Sequence, residues 1–432
     1  GGKIVTKATD NFVIEGGPDS FITMKPWGTQ LCQDLGLEEN LIPTNDHKRN
    51  VFILKKGRLV PFPDGYRLTI PTKLIPFIRS PLISPLGKLR MGLDLVIPPR
   101  RAESDESLAS FIRRRLGEEA LDRIAGPIMA GIYVADPERL SMQSTFPQFS
   151  AMEREHGSLI RAMQHAKKKR QSAAGKNSRP KAMFTSLRGG MSELVTTLVN
   201  QLDGDIRPGS QVVHLKSLSP GFEVTLDTPA SQPLKTDAVV LATPAYISAE
   251  LTKPVMAKLA DLLNKIRYVS TATISLGYRR ADIEPQHRFN GFGFVVPKSE
   301  ARQILACTWL STKFDHRAPN SDVLLRAFVG GDGQRHLVNL PDDELLSLVK
   351  TEYASIMGLT AEPAVHKIFR WVNGNPQYDV GHLTRVSTIE ELAGEIPGLF
   401  LTGSAYRGIG IPDCVKGALS TVDQILGQGS SA

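Results

Sequence analysis

Cysteine is scarce in this chain. Its three copies, Cys32, Cys307 and Cys414, are far apart and odd in number, which argues against a disulfide framework and a clustered metal site and favours a reducing compartment. Long apolar runs are missing too: none approaches the roughly 20 residues that a membrane-crossing helix needs, and nothing at the start resembles a signal peptide. The nine histidines are dispersed, so neither a metal-ligand cluster nor a Ser/His/Asp nucleophile set stands out. No internal repeat is evident. Acidic residues are absent from one stretch in particular. Between Arg161 and Lys181 lie eight Lys and Arg residues and no Asp or Glu, a surplus equal to the net charge of +8 for the whole chain. This segment lacks the interleaved aromatics on which nucleic-acid bases would stack. Two readings stay open for it: contact with anionic lipid or an acidic partner, or a solvated loop, because Gln171 to Ser178 is small and polar.

What is present points to an interlocked, multidomain chain, since 432 residues exceed the size of one ordinary core. Ile4 to Ile14 reads as a hairpin or paired strands, Trp27 to Leu37 as a short amphipathic helix, and Val51 to Leu54 with Leu59 to Phe62 as a second hairpin. Proline-punctuated apolar helices follow from Pro71 to about Leu95, then helices over Ser107 to Leu116 and Glu118 to Met129. Leu74 to Ile78 and Leu82 to Leu86, flanked by Lys73, Arg79, Lys88 and Arg90, suit either burial or a membrane surface. A helix over Met191 to Leu202 precedes strands at Gln211 to Leu218, Phe222 to Leu226 and Ala238 to Ala242. A strand-rich block spans Arg267 to Tyr278, Gly293 to Pro297, Ile304 to Trp309, Val323 to Val329 and Ala364 to Trp371, interrupted by a helix near Asp342 to Ile356. The fold class is α/β, α+β overall.

The most informative stretch closes the chain. Leu399 to Thr402 reads as a buried strand, Gly403, Gly408 and Gly410 form a glycine-rich loop, and Pro412-Asp413 open a helix whose apolar residues Val415, Leu419, Val422 and Leu426 recur at helical spacing. The free N–H groups at such a helix start would stabilise the electron-rich edge of a reduced flavin, although other glycine-rich strand-to-helix junctions share the pattern.

Gly403-Ser-Ala-Tyr-Arg-Gly-Ile-Gly-Ile-Pro-Asp-Cys-Val415 closely resembles the carboxy-terminal flavin motif of oxygen-dependent protoporphyrinogen and coproporphyrinogen oxidases, a branch of the amine-oxidase-like flavoproteins. Glu15-Gly-Gly-Pro-Asp-Ser20, Leu187-Arg-Gly-Gly190, Gly291-Phe-Gly-Phe-Val-Val-Pro297 and Pro376-Gln-Tyr-Asp-Val-Gly-His382 are similar to other motifs of that family, in the family's order. The G-x-G-x-x-G turn that opens those enzymes is not in this sequence. Gly1-Gly2-Lys3-Ile4 resembles the stretch that follows it, so the chain reads as a form without the first βαβ element.

The resemblance implies a discontinuous FAD-binding, Rossmann-like domain (1–45, 181–262 and 386–432), a mixed-sheet substrate domain (46–70 and 263–385) and a helical lobe with the basic segment (71–180). It implies a flavin enzyme that oxidises a porphyrinogen with O2. Such chemistry lies in the cofactor, so no side chain is expected as a catalytic acid, base or metal ligand. Arg67 aligns with an arginine that pairs with a substrate propionate. Phe292, Gly293, Val295 and Phe328 align with residues lining the macrocycle, and Ile124 with the Gly126 to Gly131 stretch resembles the helical side of that cavity; on pattern alone, the strand residues are equally ordinary core. For FAD, Gly17, Pro18, Asp19 and Ser20 resemble a loop passing near the flavin, Val212 a residue beside the adenine, and Trp371 a neighbour of the flavin. Gly403, Ser404, Tyr406, Ile409, Gly410 and Ile411 belong to the closing motif. His382 reads as a hydrogen-bonded structural residue, and Cys414 as an inert thiol. Partners implied are the porphyrinogen, O2, a peripheral membrane contact, and a second copy of the chain or a ferrochelatase, with no nucleic acid; the location implied is cytoplasmic, peripheral on a membrane. The alternatives are another amine-oxidase-like flavin oxidoreductase, acting on amines or polyenes, and a non-catalytic porphyrin- or partner-binding fragment.

Overall fold

The computed structural model of the chain describes residues 2–63, 66–67, 70–71, 74–173, 182–228 and 232–429; the side chains of 66–67, 70–71, 74, 132, 167–173 and 428–429 fall outside that description. Two compact units emerge, each assembled from three separated stretches. The first comprises Gly1–Ser20, Glu39–Val195 and Val269–Asn375, the second Phe21–Glu38, Thr196–Tyr268 and Pro376–Ala432.

The first unit is built on a seven-stranded mixed sheet, in the order Val365–Pro376, Tyr268–Arg279, Asp322–Gly330, Ala306–Trp309, Gly293–Val295, Val51–Lys55 and Arg58–Pro61. Gly293–Val295 runs parallel to Val51–Lys55, and the expected hairpin Val51 to Phe62 supplies the sheet's last two strands. Period-two alternation divides the sheet into two chemically different faces. Ala272, Ile274, Leu276 and Tyr278 on one strand, Val323, Leu325, Ala327 and Val329 on the next, and Phe294, Cys307 and Trp309 beyond them form a hydrocarbon core. The helix Asp342–Met357 contributes Leu345, Val349, Tyr353 and Ile356 to that core. Asp342, Asp343 and Glu344 complement the positive end of its dipole, and Gly358, at φ +74°, ends it in a left-handed turn. The opposite face carries Thr271, Thr273, Ser275, Arg326 and Phe328, and it is the face that matters below.

The helical lobe of this unit is organised around a buried cation. Arg115, fully enclosed, donates to Asp94 Oδ1 at 2.6 Å and to the carbonyls of Ile97 and Gly157 at 2.9 Å, while Asp94 Oδ2 accepts from Ser158 Oγ at 2.6 Å and from the Ile160 N–H at 3.0 Å. Both ions are thus paired and fully hydrogen-bonded, the condition under which burial of charge is tolerated. The basic stretch that composition leaves open between loop and lipid contact continues as the helix Leu159–Ala173. Lys, Arg, Ala and Gln are strong helix formers, and that propensity outweighs the small-polar signature as far as Ala173; residues 174–181 lie outside the described residues.

In the second unit Val239–Leu241 and Leu399–Leu401 pair in parallel, next in sequence to the antiparallel strands Val212–Ser217, Phe222–Leu226 and Leu234–Thr236. Helices Ala245–Thr252, Ala257–Asn264 and His382–Gly394 close a core of Leu251, Leu259, Leu263, Val386, Ile389 and Leu399. The closing helix Ile411–Gly429 packs on Pro26–Asp34, where a Cβ on Gly28 would come within 3.1 Å of Pro412.

Candidate functional site

Within the first unit the motif Glu15 to Ser20 is a heavily anchored loop. Its carbonyls face the polar side of the sheet and are bonded one by one. Gly16 O accepts from Thr273 Oγ1 and from the Trp371 indole N–H, both at 2.9 Å; the Arg326 guanidinium donates to Glu15 O at 3.2 Å and to Gly17 O at 3.0 Å. Asp19 accepts from Arg326 at 2.9 Å, from Lys313 at 3.1 Å and from Ser20 Oγ at 2.6 Å. Burial alone would raise the Asp19 pKa, but Lys313 and Arg326 outweigh it and hold the carboxyl well below the ordinary carboxylate range. Glu15 is fully enclosed; burial pushes its pKa up, against the Met191 N–H at 2.8 Å, the Thr6 hydroxyl at 2.8 Å and Arg317 at 3.8 Å. Arg317 in turn caps the carbonyls of Leu187 and Arg188, so two motifs nearly 170 residues apart in sequence, Glu15 to Ser20 and Leu187 to Gly190, share one polar network.

This loop presents backbone rather than side chains. A Cβ on Gly16 would lie 2.6 Å from the Phe369 ring, and one on Gly17 would lie 1.9 Å from the Lys3 carbonyl oxygen and 3.8 Å from Trp371. Beside the anchor, the sheet's registry sets out two rows on the same face. Val295, Ala306, Phe328 and Thr273 form one; Gly293, Thr308, Arg326 and Ser275 form the next. The Arg326 guanidinium sits 4.8 Å from the centre of the Phe328 ring. Gly293, Val295, Phe328, Trp371 and the Gly17 to Ser20 loop therefore converge on one surface. Gly293 holds φ +131°, and its missing Cβ lets strands close to a separation that would otherwise put that atom 2.0 Å from Cys307 O; just before it, the Phe292 N–H donates to Asn50 O at 2.7 Å. Gly131 approaches Val295 from the helical side, its Cβ position 3.7 Å away.

The other sites fall differently. Ile124 is fully enclosed on a turn of π-helix, Leu121–Ala125. Arg67 lies on the short strand Tyr66–Arg67, opposite Ile70, and its side chain is outside the described residues. A cavity of about 380 Å³ opens behind the Gly126–Tyr133 helix, between Gly126, Ala130 and Val134 on one side and Val296, Leu305 and Gly331 on the other; Phe292, Val295 and Phe328 do not line it.

In the second unit the closing motif is braced from behind. Tyr378 and His382 stack with ring centres 4.0 Å apart; the Tyr378 hydroxyl donates to Ser404 O at 2.9 Å, and His382 Nε2 meets Tyr406 O at 2.8 Å. Burial pushes the His382 pKa down to about 4, so the neutral ring carries its proton on Nε2 and donates it. The ring is a structural donor, as its lone placement in the sequence suggests. Tyr406 is itself buried, and Val212 opens its strand just before a bulge. The loop's one charged side chain, Arg407, is tied to Glu390. Cys414 Sγ lies 3.9 Å from Gly408 O, within the loop's own packing.

These residues fit a flavin. Gly403 holds φ +112°, a conformation closed to most side chains, with nothing nearer than 3.7 Å to the position a Cβ would take, so a flat ring can approach bare backbone here.

Comparison with known proteins decides the family: the sequence profile of flavin-containing amine oxidoreductases matches residues 1–426. The chain belongs to this family. The coproporphyrinogen III oxidase of Bacillus subtilis is 34% identical over 430 residues, covering 99% of this chain and 89% of the relative. The chloroplastic protoporphyrinogen oxidase of Nicotiana tabacum is 28% identical over 444 residues, covering 99% and 79%. The crystal structure of a candidate protoporphyrinogen oxidase from Exiguobacterium sp. 255-15 superposes with a TM-score of 0.86 at 32% identity, covering 98% of this chain and 90% of that one. The expected amine-oxidase-like fold, FAD as cofactor and an oxidoreductase activity are thereby borne out.

Two anchors are not evident in the sequence patterns above. Arg326 is one: a lone cation inside the apolar run Val323 to Val329 is the signal that could have found it. Lys313 carries no such mark. The pH consequence of His382 is directly testable. An unfolded imidazole titrates near 6.5 and the folded one near 4, so between these values the unfolded chain binds the extra proton and stability falls as pH falls. The loss is about 3 kcal/mol at most, from about 1.36 kcal/mol per unit. Urea midpoints at neutral and mildly acid pH should differ less in His382→Gln than in the parent chain; an equal difference in both assigns the acid sensitivity elsewhere.

Proposed function

We propose that the chain oxidises a porphyrinogen to the porphyrin, in haem synthesis, with O2 as electron acceptor and hydrogen peroxide as by-product. The observation that carries the reading is the surface on which Gly293, Val295 and Phe328 lie beside the anchored Glu15 to Ser20 loop: it sets apolar and aromatic side chains beside the small hydroxyl residues Thr273, Ser275 and Thr308, and its one cation, Arg326, is already bonded to the protein. A large apolar macrocycle suits such a surface, whereas a small cationic amine would find no free carboxylate on it, since Asp19 is saturated by Arg326 and Lys313. FAD, when bound, accepts hydride equivalents from the substrate and passes the electrons to O2. The chain's own work is positioning: Val295 and Phe328 seat the ring, the Glu15 to Ser20 and Thr402 to Ile411 loops offer backbone to the cofactor, and Arg67 takes a propionate. In this reading Val212 lies toward the adenine of the FAD.

Coproporphyrinogen III is the favoured substrate, because the bacterial relatives named coproporphyrinogen III oxidase are 32–34% identical, against 28% or less for the plant enzymes named protoporphyrinogen oxidases. The reading extends to a cytoplasmic location and to a peripheral membrane contact or contact with a second copy or a ferrochelatase; among the described residues no helix is long and apolar enough to cross a membrane. Steady-state assays with both porphyrinogens and with a panel of amines test the proposal. Turnover of coproporphyrinogen III is expected to exceed the others, and Arg67→Ala should raise KM by about tenfold to a hundredfold through loss of a charge-assisted pair. Turnover of amines alone would replace this reading with the amine-oxidising one.

A further inference from the structure

The cavity of about 380 Å³ beside the Gly126–Tyr133 helix takes no part in the porphyrinogen reading, since Phe292, Val295 and Phe328 do not line it. Its walls are hydrocarbon. Leu121, Ala130 and Val134 from the helical lobe stand across from Val296, Ile304 and Leu305 at the end of the sheet. A cavity of about 150 Å³ walled by such side chains stays dry and admits benzene, so this one has room for about two fused rings and a short arm. The charges on its lining are mostly negative. Glu118, Asp122, Asp136, Glu138 and Asp332 stand against Lys298 and Arg302, in a chain whose net charge is +8. Both of those cations are already engaged: Lys298 with Asp136 at 3.0 Å, and Arg302 with Ser355 Oγ at 2.9 Å and Glu352 at 3.5 Å. Outside the lining, Arg113 meets Glu118 at 2.5 Å and Glu138 at 2.6 Å, and Arg123 meets Asp122 at 3.2 Å. The Arg113 pairs are exposed and screened by solvent, so an excess of negative charge remains on the lining.

Backbone strain gathers around the same volume. Two lining residues hold left-handed conformations although neither is glycine: Val134, at φ +51° and ψ 30°, and Ala301, at φ +50° and ψ 41°. For a β-branched residue such as Val134 this is an outlier, and outliers of this kind cluster at ligand clamps. The Val134 N–H is held by Ala130 O at 3.1 Å, and Gly331 makes room for the side chain, since a Cβ there would lie 2.7 Å from Val134 Cγ1. On the other flank, Leu121 and Asp122 reach the cavity from the π-helical turn Leu121–Ala125, a widened geometry that recurs at functional sites. We propose that the cavity binds an apolar molecule of about two fused rings that carries one positive charge. The hydrocarbon walls supply the burial and the carboxylates select the charge. The propionates of a porphyrinogen would meet those carboxylates with no disengaged cation to receive them, so this ligand is distinct from the substrate. The inference goes beyond the proposed function and does not depend on it.

Calorimetric titration of the full chain with 1-naphthylmethylamine, and with 1-naphthylacetate as its anionic counterpart, tests the assignment. The amine should bind at least about tenfold more tightly than the acid, and the difference should shrink as salt is raised. Ala130→Phe, which fills the cavity from the helix side, should weaken amine binding by about tenfold or more. Ala130→Leu adds less volume to a strong helix position and should weaken it by about threefold, which keeps the test open if the aromatic variant fails to fold. Asp122→Asn/Asp332→Asn should bring the two probes within about threefold of each other. Urea midpoints report that each variant is folded. A parent chain that binds neither probe, or both equally, overturns the assignment. So does a folded Ala130→Leu variant that binds the amine as the parent does, and so does displacement of the amine by coproporphyrin III, which would put the probe on the substrate surface. Each of these results is read without turnover, so failure here leaves the porphyrinogen reading untouched.

Discussion

Arg326→Ala should lower stability by about 3–5 kcal/mol and abolish flavin retention, a loss comparable to much of the stability of an ordinary domain. The side chain is buried and joins three partners: the Glu15 and Gly17 carbonyls and the Asp19 carboxylate. Truncation leaves two acceptors without donors and a buried carboxylate with Lys313 as its remaining cation, and each orphan bears its own desolvation cost. Because the positive charge keeps the Asp19 pKa low, the variant should also lose stability at a higher pH than the parent as acid is added. Arg326→Lys separates the contributions: it restores a charge near Asp19 but not the planar fork whose Nη1 serves both carbonyls while Nη2 bonds the carboxylate, so partial recovery of stability with poor flavin retention is expected. Urea midpoints and the flavin absorbance of the purified proteins measure both. Parent-like behaviour of the alanine variant would show that the loop does not depend on this anchor.

Gly17→Val should be nearly as damaging to cofactor binding while acting through shape alone. Its Cβ would lie 1.9 Å from the Lys3 carbonyl oxygen, a separation no real contact adopts, so either the loop or the turn at Lys3 must move. The loop's carbonyls are held by Thr273, Trp371 and Arg326, so relief of the clash by the loop strains or breaks those bonds and shifts the backbone they hold in place. FAD affinity should fall about a hundredfold, the consequence expected of moving a preorganised surface by around an ångström. Gly204→Ala, where a Cβ meets nothing within 4 Å, is the matched control and should bind FAD as the parent chain does. Equal affinity in Gly17→Val would separate this loop from the cofactor site.

Local periodicity made much of the fold legible. The strand at Asp322–Gly330, the helix at Asp342–Met357 and the closing helix Ile411–Gly429 carry regular apolar spacing over many residues, and each lies where that spacing puts it. Helices Ala257–Asn264 and His382–Gly394 are less marked, because their apolar residues serve a core completed by strands far away in sequence. Motif resemblance singled out the loops proposed to meet the cofactor but not what holds those loops. Asp19 and Arg326 are 307 positions apart, and nothing in the neighbourhood of either predicts the other. The glycines of Gly291 to Pro297 were legible as a motif, yet their physical role, allowing close strand approach at Asn50 and Cys307, depends on partners only the sheet's registry reveals.

The most direct measurement is anaerobic mixing of the FAD-loaded chain with coproporphyrinogen III, followed by readmission of O2. The visible flavin bands should bleach on mixing and return with oxygen, while porphyrin absorbance grows in step with hydrogen peroxide. Flavin bands that persist with the porphyrinogen yet bleach with an amine would contradict the account.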